Sequence, residues 1–268
     1  MTNAAKANPA RFTSNFSAKP SGYIIYRGPS LLDGKPIVVV AVVRESKNKK
    51  TGNMVQTYIL VDNGVSPVQN ARNLDDSSVC GDCKHRRGMG GSCYVNLGQG
   101  ARAVMDGVQR GIYFDGAGDP YPEDAALWEA MIKCRDRHVR LGTYGDPAAV
   151  PAYVWEKLTF HAAGHTGYTH QWHTGKADHV KQWCMASVDT AKEMAIAKMD
   201  GWRTFRVRGA NEGLEYGHEM KCPASAEMNK RLTCDTCMAC SGGVDSKKAN
   251  VVIIVHGSLK NRFAASVA

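Results

Sequence analysis

The sequence predicts an α/β fold with a parallel sheet and an N-terminal β-hairpin region, and three observations predict it. Residues 23–63 carry β-branched and aromatic runs without helical spacing. From about residue 99 onward, short apolar runs alternate with helical stretches, the pattern of strands joined by crossover helices. Between and after these lie two compact groups that hold seven of the nine cysteines.

Taken in order, residues 1–22 (MTNAAKANPARFTSNFSAKPSG) are polar and lack the apolar core of a secretory signal, so they read as a flexible tail. Residues 23–79 form the β-rich region, with strands expected at 23–28, 36–43 and 54–61. The basic run RESKNKK at 44–50 falls at a hairpin tip between the second and third of these. Residues 80–268 form the α/β domain carrying both cysteine groups. Helices are expected at 101–110 and at 123–136, the latter with Pro122 suited to a first turn, then at 151–163 and 190–199. Strands are expected at 138–144, 166–172, 183–188, 203–207, 219–222 and 250–255. No repeat of fixed period and no low-complexity segment interrupts the chain.

The composition, 43% apolar and 22% charged, is that of an ordinary globular chain, and no apolar run approaches the ~20 residues that span a bilayer. No membrane partner is therefore expected, and a reducing cytoplasm is. Grouped cysteines there argue for metal or redox chemistry rather than disulfides. The net charge of +9 favours an acidic partner such as nucleic acid. The run at 44–50 reads either as a solvated turn or as a phosphate contact. A second basic patch, Lys84-His85-Arg86-Arg87, lies inside the first cysteine group, where it can hold an anion or offset thiolate charge.

The first group is Cys80, Cys83 and Cys93, in a glycine-rich stretch that must be loop. With His85 it could form a Cys3His zinc site, and without it a cubane held by three thiolates with one iron open. The second is Cys222, Cys234, Cys237 and Cys240. Its C-x2-C-x2-C step is the opening of a ferredoxin-type run, which favours a fully ligated [4Fe–4S] cluster over paired zinc knuckles. Cys134 and Cys184 stand alone and read as buried small hydrophobes. The histidines show no H-E-x-x-H, and the chain has no G-x-S-x-G, Walker A or G-x-G-x-x-G motif. In parallel α/β folds ligands bind at the carboxyl ends of strands. The expected ends include Gly145-Asp146, His170, Ser187-x-Asp189, Arg208, Cys222 and His256. His170 reads equally as a pocket residue or as a core histidine bonded to backbone.

A three-cysteine loop, then strands ending in Gly145-Asp146-Pro147 and Ser187-Val188-Asp189, then a late four-cysteine group: this order resembles the radical S-adenosylmethionine superfamily. The resemblance covers about residues 76–257 and is one of element order. The family's usual step is C-x3-C-x2-C, whereas this chain has C-x2-C-x9-C. It implies a partial (β/α) barrel, with an open cluster on Cys80, Cys83 and Cys93 and an auxiliary cluster on Cys222, Cys234, Cys237 and Cys240. It further implies S-adenosylmethionine as a small-molecule cofactor, its amino group near Gly145 and Asp146 and its ribose near Ser187 and Asp189. An electron passed to that cofactor would start hydrogen abstraction from a substrate. The stretches KTGNMVQTYIL, VCGDC and RLGTYGDPAAVP also resemble a group of uncharacterised bacteriophage proteins, which implies the cytoplasm of an infected bacterial host. Two other readings stand beside this one: a zinc-stapled nucleic-acid-binding phage protein, and a non-catalytic iron–sulfur protein for electron transfer or redox sensing. Substrate and oligomeric state are not legible in the sequence.

Overall fold

Residues 20–45, 50–243 and 249–267 are described by the computed structural model. The expected tail through residue 19 and the centre of the basic run, 46–49, lie outside the described residues. Three strands open the fold: β1 (Gly22–Pro29), β2 (Pro36–Val42) and β3 (Val55–Val61). They pair antiparallel in sequence order. In β2, Ile37, Val38, Val39, Val40 and Ala41 are all 0% exposed, so this strand is covered on both faces. An apolar run without alternation is the sequence signature of such a strand, and each large side chain so buried contributes about 1.5–3 kcal/mol.

Four helices follow: α1 (Pro67–Asn73), α2 (Ser77–Cys80), α3 (Arg102–Gln109) and α4 (Pro122–Cys134). The sequence reading had no helix at α1, although its start signal is present. Ser66 Oγ accepts from the Gln69 N–H (3.3 Å), and Pro67 fills the first turn, where no N–H is needed. β4 (His138–Tyr144) has the expected bounds and pairs parallel with β3, so the N-terminal strands and the α/β part share one sheet. After α5 (Ala152–Thr159) comes β5 (Gly164–Thr166), parallel to β4.

The single strand expected at 166–172 is instead two pieces, β5 and β6 (Tyr168–Thr169), in different sheets. Gly167 separates them. A Cβ there would lie 2.7 Å from Cys184 Sγ, and the Gly167 N–H turns to the Cys240 carbonyl (3.4 Å). Beyond Thr169 the chain leaves the ladder because Asp146 Oδ2 captures the His170 N–H (2.8 Å).

The second sheet is completed by β7 (Met185–Val188), β8 (Thr204–Arg208), β9 (Glu219–Lys221) and β10 (Asn250–Ile254), in the order β6-β7-β8-β10-β9 and parallel throughout. Helix α6 (Ala191–Met199) crosses from β7 to β8; Thr190 Oγ1 caps it by accepting from the Glu193 N–H (3.1 Å). The late segment holds α7 (Cys234–Cys237), and α8 (Phe263–Val267) closes the described chain. The architecture is thus mixed α/β, with one mixed and one parallel five-stranded sheet. Among the described residues no helix is long and apolar enough to cross a membrane.

Candidate metal centres

The first cysteine group is set by one helical turn and a glycine-rich loop. Cys80 ends α2, so it is not in loop as expected; Gly81 then turns the chain at φ +56°, where a Cβ would strike the Gln171 amide at 2.4 Å. The Gln171 side chain fills that space and donates to the Cys80 carbonyl (3.2 Å). The Cys83 N–H returns to the Cys80 carbonyl (3.2 Å), and the Cys93 N–H to the His85 carbonyl (3.0 Å). Gly91 lies flat on this last turn, where a Cβ would sit 2.3 Å from the His85 carbonyl carbon.

These turns gather the three sulfurs close enough that Cys83 and Cys93 raise the Cys80 pKa and Cys83 raises that of Cys93. Burial is the larger cause: it pushes Cys80 well up, Cys83 to about 12 and Cys93 to about 11. Two backbone donors oppose it. The His85 N–H bonds Cys83 Sγ and the Val95 N–H bonds Cys93 Sγ, and both favour the thiolate. In each case the donor lies two residues after its cysteine.

The loop sits at the carboxyl ends of parallel strands. Cys83 feels the charges of Asp146, just past β4, and Asp189, just past β7. The basic patch is spent inside the protein. Arg86 bonds Asp76 through Nε (2.8 Å) and Nη2 (2.5 Å) and also the Leu74 carbonyl (2.8 Å); Arg87 bonds the Val95 carbonyl (2.5 Å). Lys84 Nζ reaches Glu193 (2.9 Å) and Asp189 (3.2 Å). Of the two readings of this patch, anion site or offset of thiolate charge, the contacts favour the second, since Arg86 lowers the Cys80 pKa and Arg87 that of Cys93.

His85, a fourth ligand in the Cys3His reading, is turned away from that role. Its Nδ1 is 2.8 Å from Ser92 Oγ and its Nε2 is 2.8 Å from Asp189 Oδ2, so both ring nitrogens are engaged. The ring stacks on Phe263 of α8 (5.8 Å, 6°) and meets the edge of His170 (5.6 Å). Burial would raise the Asp189 pKa, but the His85 hydrogen bond and the charges of His85, His170 and Lys84 outweigh it and hold the carboxyl below its usual range. The other oxygen of this buried carboxylate, Oδ1, has no hydrogen-bond partner.

The second group gathers all four expected cysteines. The Cys222 N–H joins the Val252 carbonyl (2.8 Å), and the Ala224 N–H bonds Cys222 Sγ, again two residues on. The Thr233/Thr236 capping box starts α7 and presents Cys234 and Cys237 on one turn. The Cys234 N–H donates to the Lys50 carbonyl (2.7 Å), and Asp235 accepts the Asn53 N–H (3.1 Å), so the β2–β3 connection forms one wall. Cys240 is pushed to about 12 by burial, against a hydrogen bond from the Tyr168 hydroxyl, and it feels Cys222, Cys234 and Cys237. Lys50, the last residue of the basic run, is near enough to lower the Cys222 and Cys234 pKa values.

No family model, no curated protein and no solved structure matches the chain. Its residues therefore carry the functional reading unaided. Among the described residues, no three His, Cys, Asp or Glu side chains already stand in metal-holding geometry. What the two groups have is the donor chemistry: thiols half-buried or buried, with backbone N–H groups aimed at the sulfurs of Cys83, Cys93 and Cys222, a set that fits thiophilic zinc or iron–sulfur sites. Cys134 and Cys184 differ. Both are buried in the main hydrophobic core, as expected.

The other expected ligand-binding residues divide. Asp189 and His170 face the first site, but Asp146 is committed to backbone: Oδ1 accepts from Ala148 (3.0 Å) and Oδ2 from His170. Gly145 (φ +84°) is fixed by close approach to Ile59, 2.6 Å from an added Cβ. Ser187 is buried in β7, its carbonyl taking the Trp172 indole N–H (3.0 Å). Of the two readings of His170, the backbone N–H bond is present, and the ring also stands beside His85. Arg140, Tyr94 and Tyr168, which lie between the two groups, were not read as site residues. Arg140 alternates with buried Val139 and Leu141, and that pattern reads as a solvent face.

Proposed function

We propose that the chain is an iron–sulfur protein resembling radical S-adenosylmethionine enzymes. Cys80, Cys83 and Cys93 would hold a [4Fe–4S] cluster with one iron open, and Cys222, Cys234, Cys237 and Cys240 a second, fully ligated one. The observation that supports this best is the trio of half-buried thiols at the strand ends while His85 is bonded to Ser92 and Asp189. With the nearest histidine so occupied, a fourth position is left to a small molecule, the mark of a reactive rather than a structural centre. On this reading the two sheets, joined through Gly167, curve into a partial (β/α) barrel. The phage origin and the bacterial cytoplasm rest on the resemblance of sequence stretches alone.

When bound, the open cluster supplies one electron and a coordination position to a sulfonium cofactor. The chain's own part is to bind, orient and exclude water. Asp189 Oδ1, buried and without a partner, accepts a hydroxyl or ammonium hydrogen of the ligand. His85 and Lys84 hold that carboxylate ionised and fixed. Phe263 covers the His85 ring.

The competing reading is a zinc-stapled nucleic-acid binder. Four gathered thiols suit tetrahedral zinc as well as a cubane. Its phosphate-binding half has less support, since Lys84 to Arg87 are bonded internally and Lys50 lies beside the second cysteine group. Iron and acid-labile sulfide analysis of protein purified without oxygen decides between them. About eight of each per chain, falling to about four in Cys83→Ala, supports two cubanes. Loss of S-adenosylmethionine cleavage in the same variant supports the open site. Colourless protein carrying zinc overturns the proposal.

A further inference from the structure

Arg140 places a cation between the two cysteine groups, while Lys50 lies beside the second. Arg140 projects from β4, and its Nη2 donates to the Tyr94 hydroxyl (3.0 Å). Tyr94 directly follows Cys93 of the first group. On the other side the guanidinium lies 5.9 Å from the centre of the Tyr168 ring, and the Tyr168 hydroxyl donates to Cys240 of the second group. Cys234 feels the same charge, which lowers its pKa. Arg140 Nε is shut off from water and has no hydrogen-bond acceptor.

A buried N–H without an acceptor is costly. Among the described residues, Arg140 Nε shares that state with four other arginine Nε atoms, but it alone of these stands between the two cysteine groups, held by Tyr94 and Tyr168. Of the cysteines, the one whose charge couples to this guanidinium is Cys234 of the second group. Arginine also stays charged in any environment, so its effect does not depend on pH. We propose that Arg140 is the resident counter-charge of the second cysteine site, its Nε–H donating to sulfur there while Nη2 anchors Tyr94 of the first. The role rests on the reading of that site as a metal centre. Four thiolates around a [4Fe–4S] core leave a net negative charge, and one-electron reduction by dithionite makes it more negative. A fixed cation favours the reduced form more than the oxidised form and so raises the potential.

The test uses the full chain carrying Cys83→Ala, so that only the second site is loaded, with Arg140→Met and Arg140→Lys compared in that background. Midpoint potentials are read by EPR during a dithionite titration. Arg140→Met is expected to shift the couple to more negative potential and Arg140→Lys to return most of the shift. Identical potentials in all three would overturn the counter-charge, whereas the iron–sulfur reading would stand. Should Arg140→Met not fold, a negative shift in Arg140→Gln with Lys unshifted supports the role, and no shift in Gln overturns it. If the site takes zinc, the iron–sulfur reading fails independently. The counter-charge is then read by chelator competition: faster zinc release from Met or Gln than from Lys supports it, and equal release overturns it. A site that takes neither metal removes both proposals.

Discussion

His85 Nε2 and Asp189 Oδ2 lie 2.8 Å apart across 104 residues of sequence, and this bond ties the first cysteine loop to the end of β7. Ser92 and the half-buried Lys84 extend it into a polar chain. Such chains are rigid when fully satisfied and costly when broken.

Asp189→Asn removes the charge but keeps the shape. The loss of charge-assisted bonds to His85 and Lys84 is expected to cost about 1.5–3 kcal/mol, read as a lower urea midpoint. An unchanged midpoint would mean the chain contributes nothing.

The same carboxylate predicts a pH dependence. Its pKa is held down in the folded state, so its contribution is fully present above the unfolded value of about 3.9 and is lost as pH falls through the folded value. The stability gap between the wild type and Asp189→Asn should stay constant from pH 7 to about pH 5 and close below about pH 4. Urea titrations at pH 7, 5 and 3 check this. A gap that widens in acid would reverse the assignment.

Gly91→Ala places a methyl group against the His85 backbone, where no flexible side chain can give way. The loop from Cys83 to Cys93 must open. If the first group holds metal, this variant loses metal there and keeps the second site's. Equal loss from both sites would point to general unfolding instead.

Arg206 and Glu219 form a second buried pair, with Nε–Oε1 and Nη2–Oε2 both 2.8 Å and side chains 2% and 0% exposed. It joins β8 to β9 across β10, which lies between them. Glu219→Ala leaves a guanidinium buried with only part of its bonding and is expected to cost about 3–5 kcal/mol. Replacing Arg206 with Met in the same protein should recover part of that, because a buried charge left with only Glu212 and the Gly213 carbonyl is costlier than none. A double-mutant cycle in urea measures the difference.

Much of this fold was legible wherever local chemistry decides it. The all-apolar β2 announced a strand covered on both faces, β4 kept its expected bounds, and Thr190 marked the start of α6. The two cysteine groups were legible as groups, because spacing within each loop is local. Other features were set by partners far along the chain. Nothing near Gly167 shows that its N–H will go to Cys240 and split one strand in two. Parallel pairing leaves no turn signal, so β10 settling between β8 and β9 could not be read from order. His85 looked like a ligand because its two partners, Ser92 and Asp189, are identified only by three-dimensional proximity.

The wall that the β2–β3 connection lends to the second cysteine group has a consequence in time. Asn53 and Asp235 bond across 182 residues. At ordinary ribosomal speeds of about 5–20 residues per second, the early half of that contact waits roughly 10–40 s for its mate. The first three cysteines emerge within one short stretch, whereas Cys222 to Cys240 follow only after strands β1 to β9. The second cysteine group is therefore completed only after both sheets are largely made, whereas the first can form early.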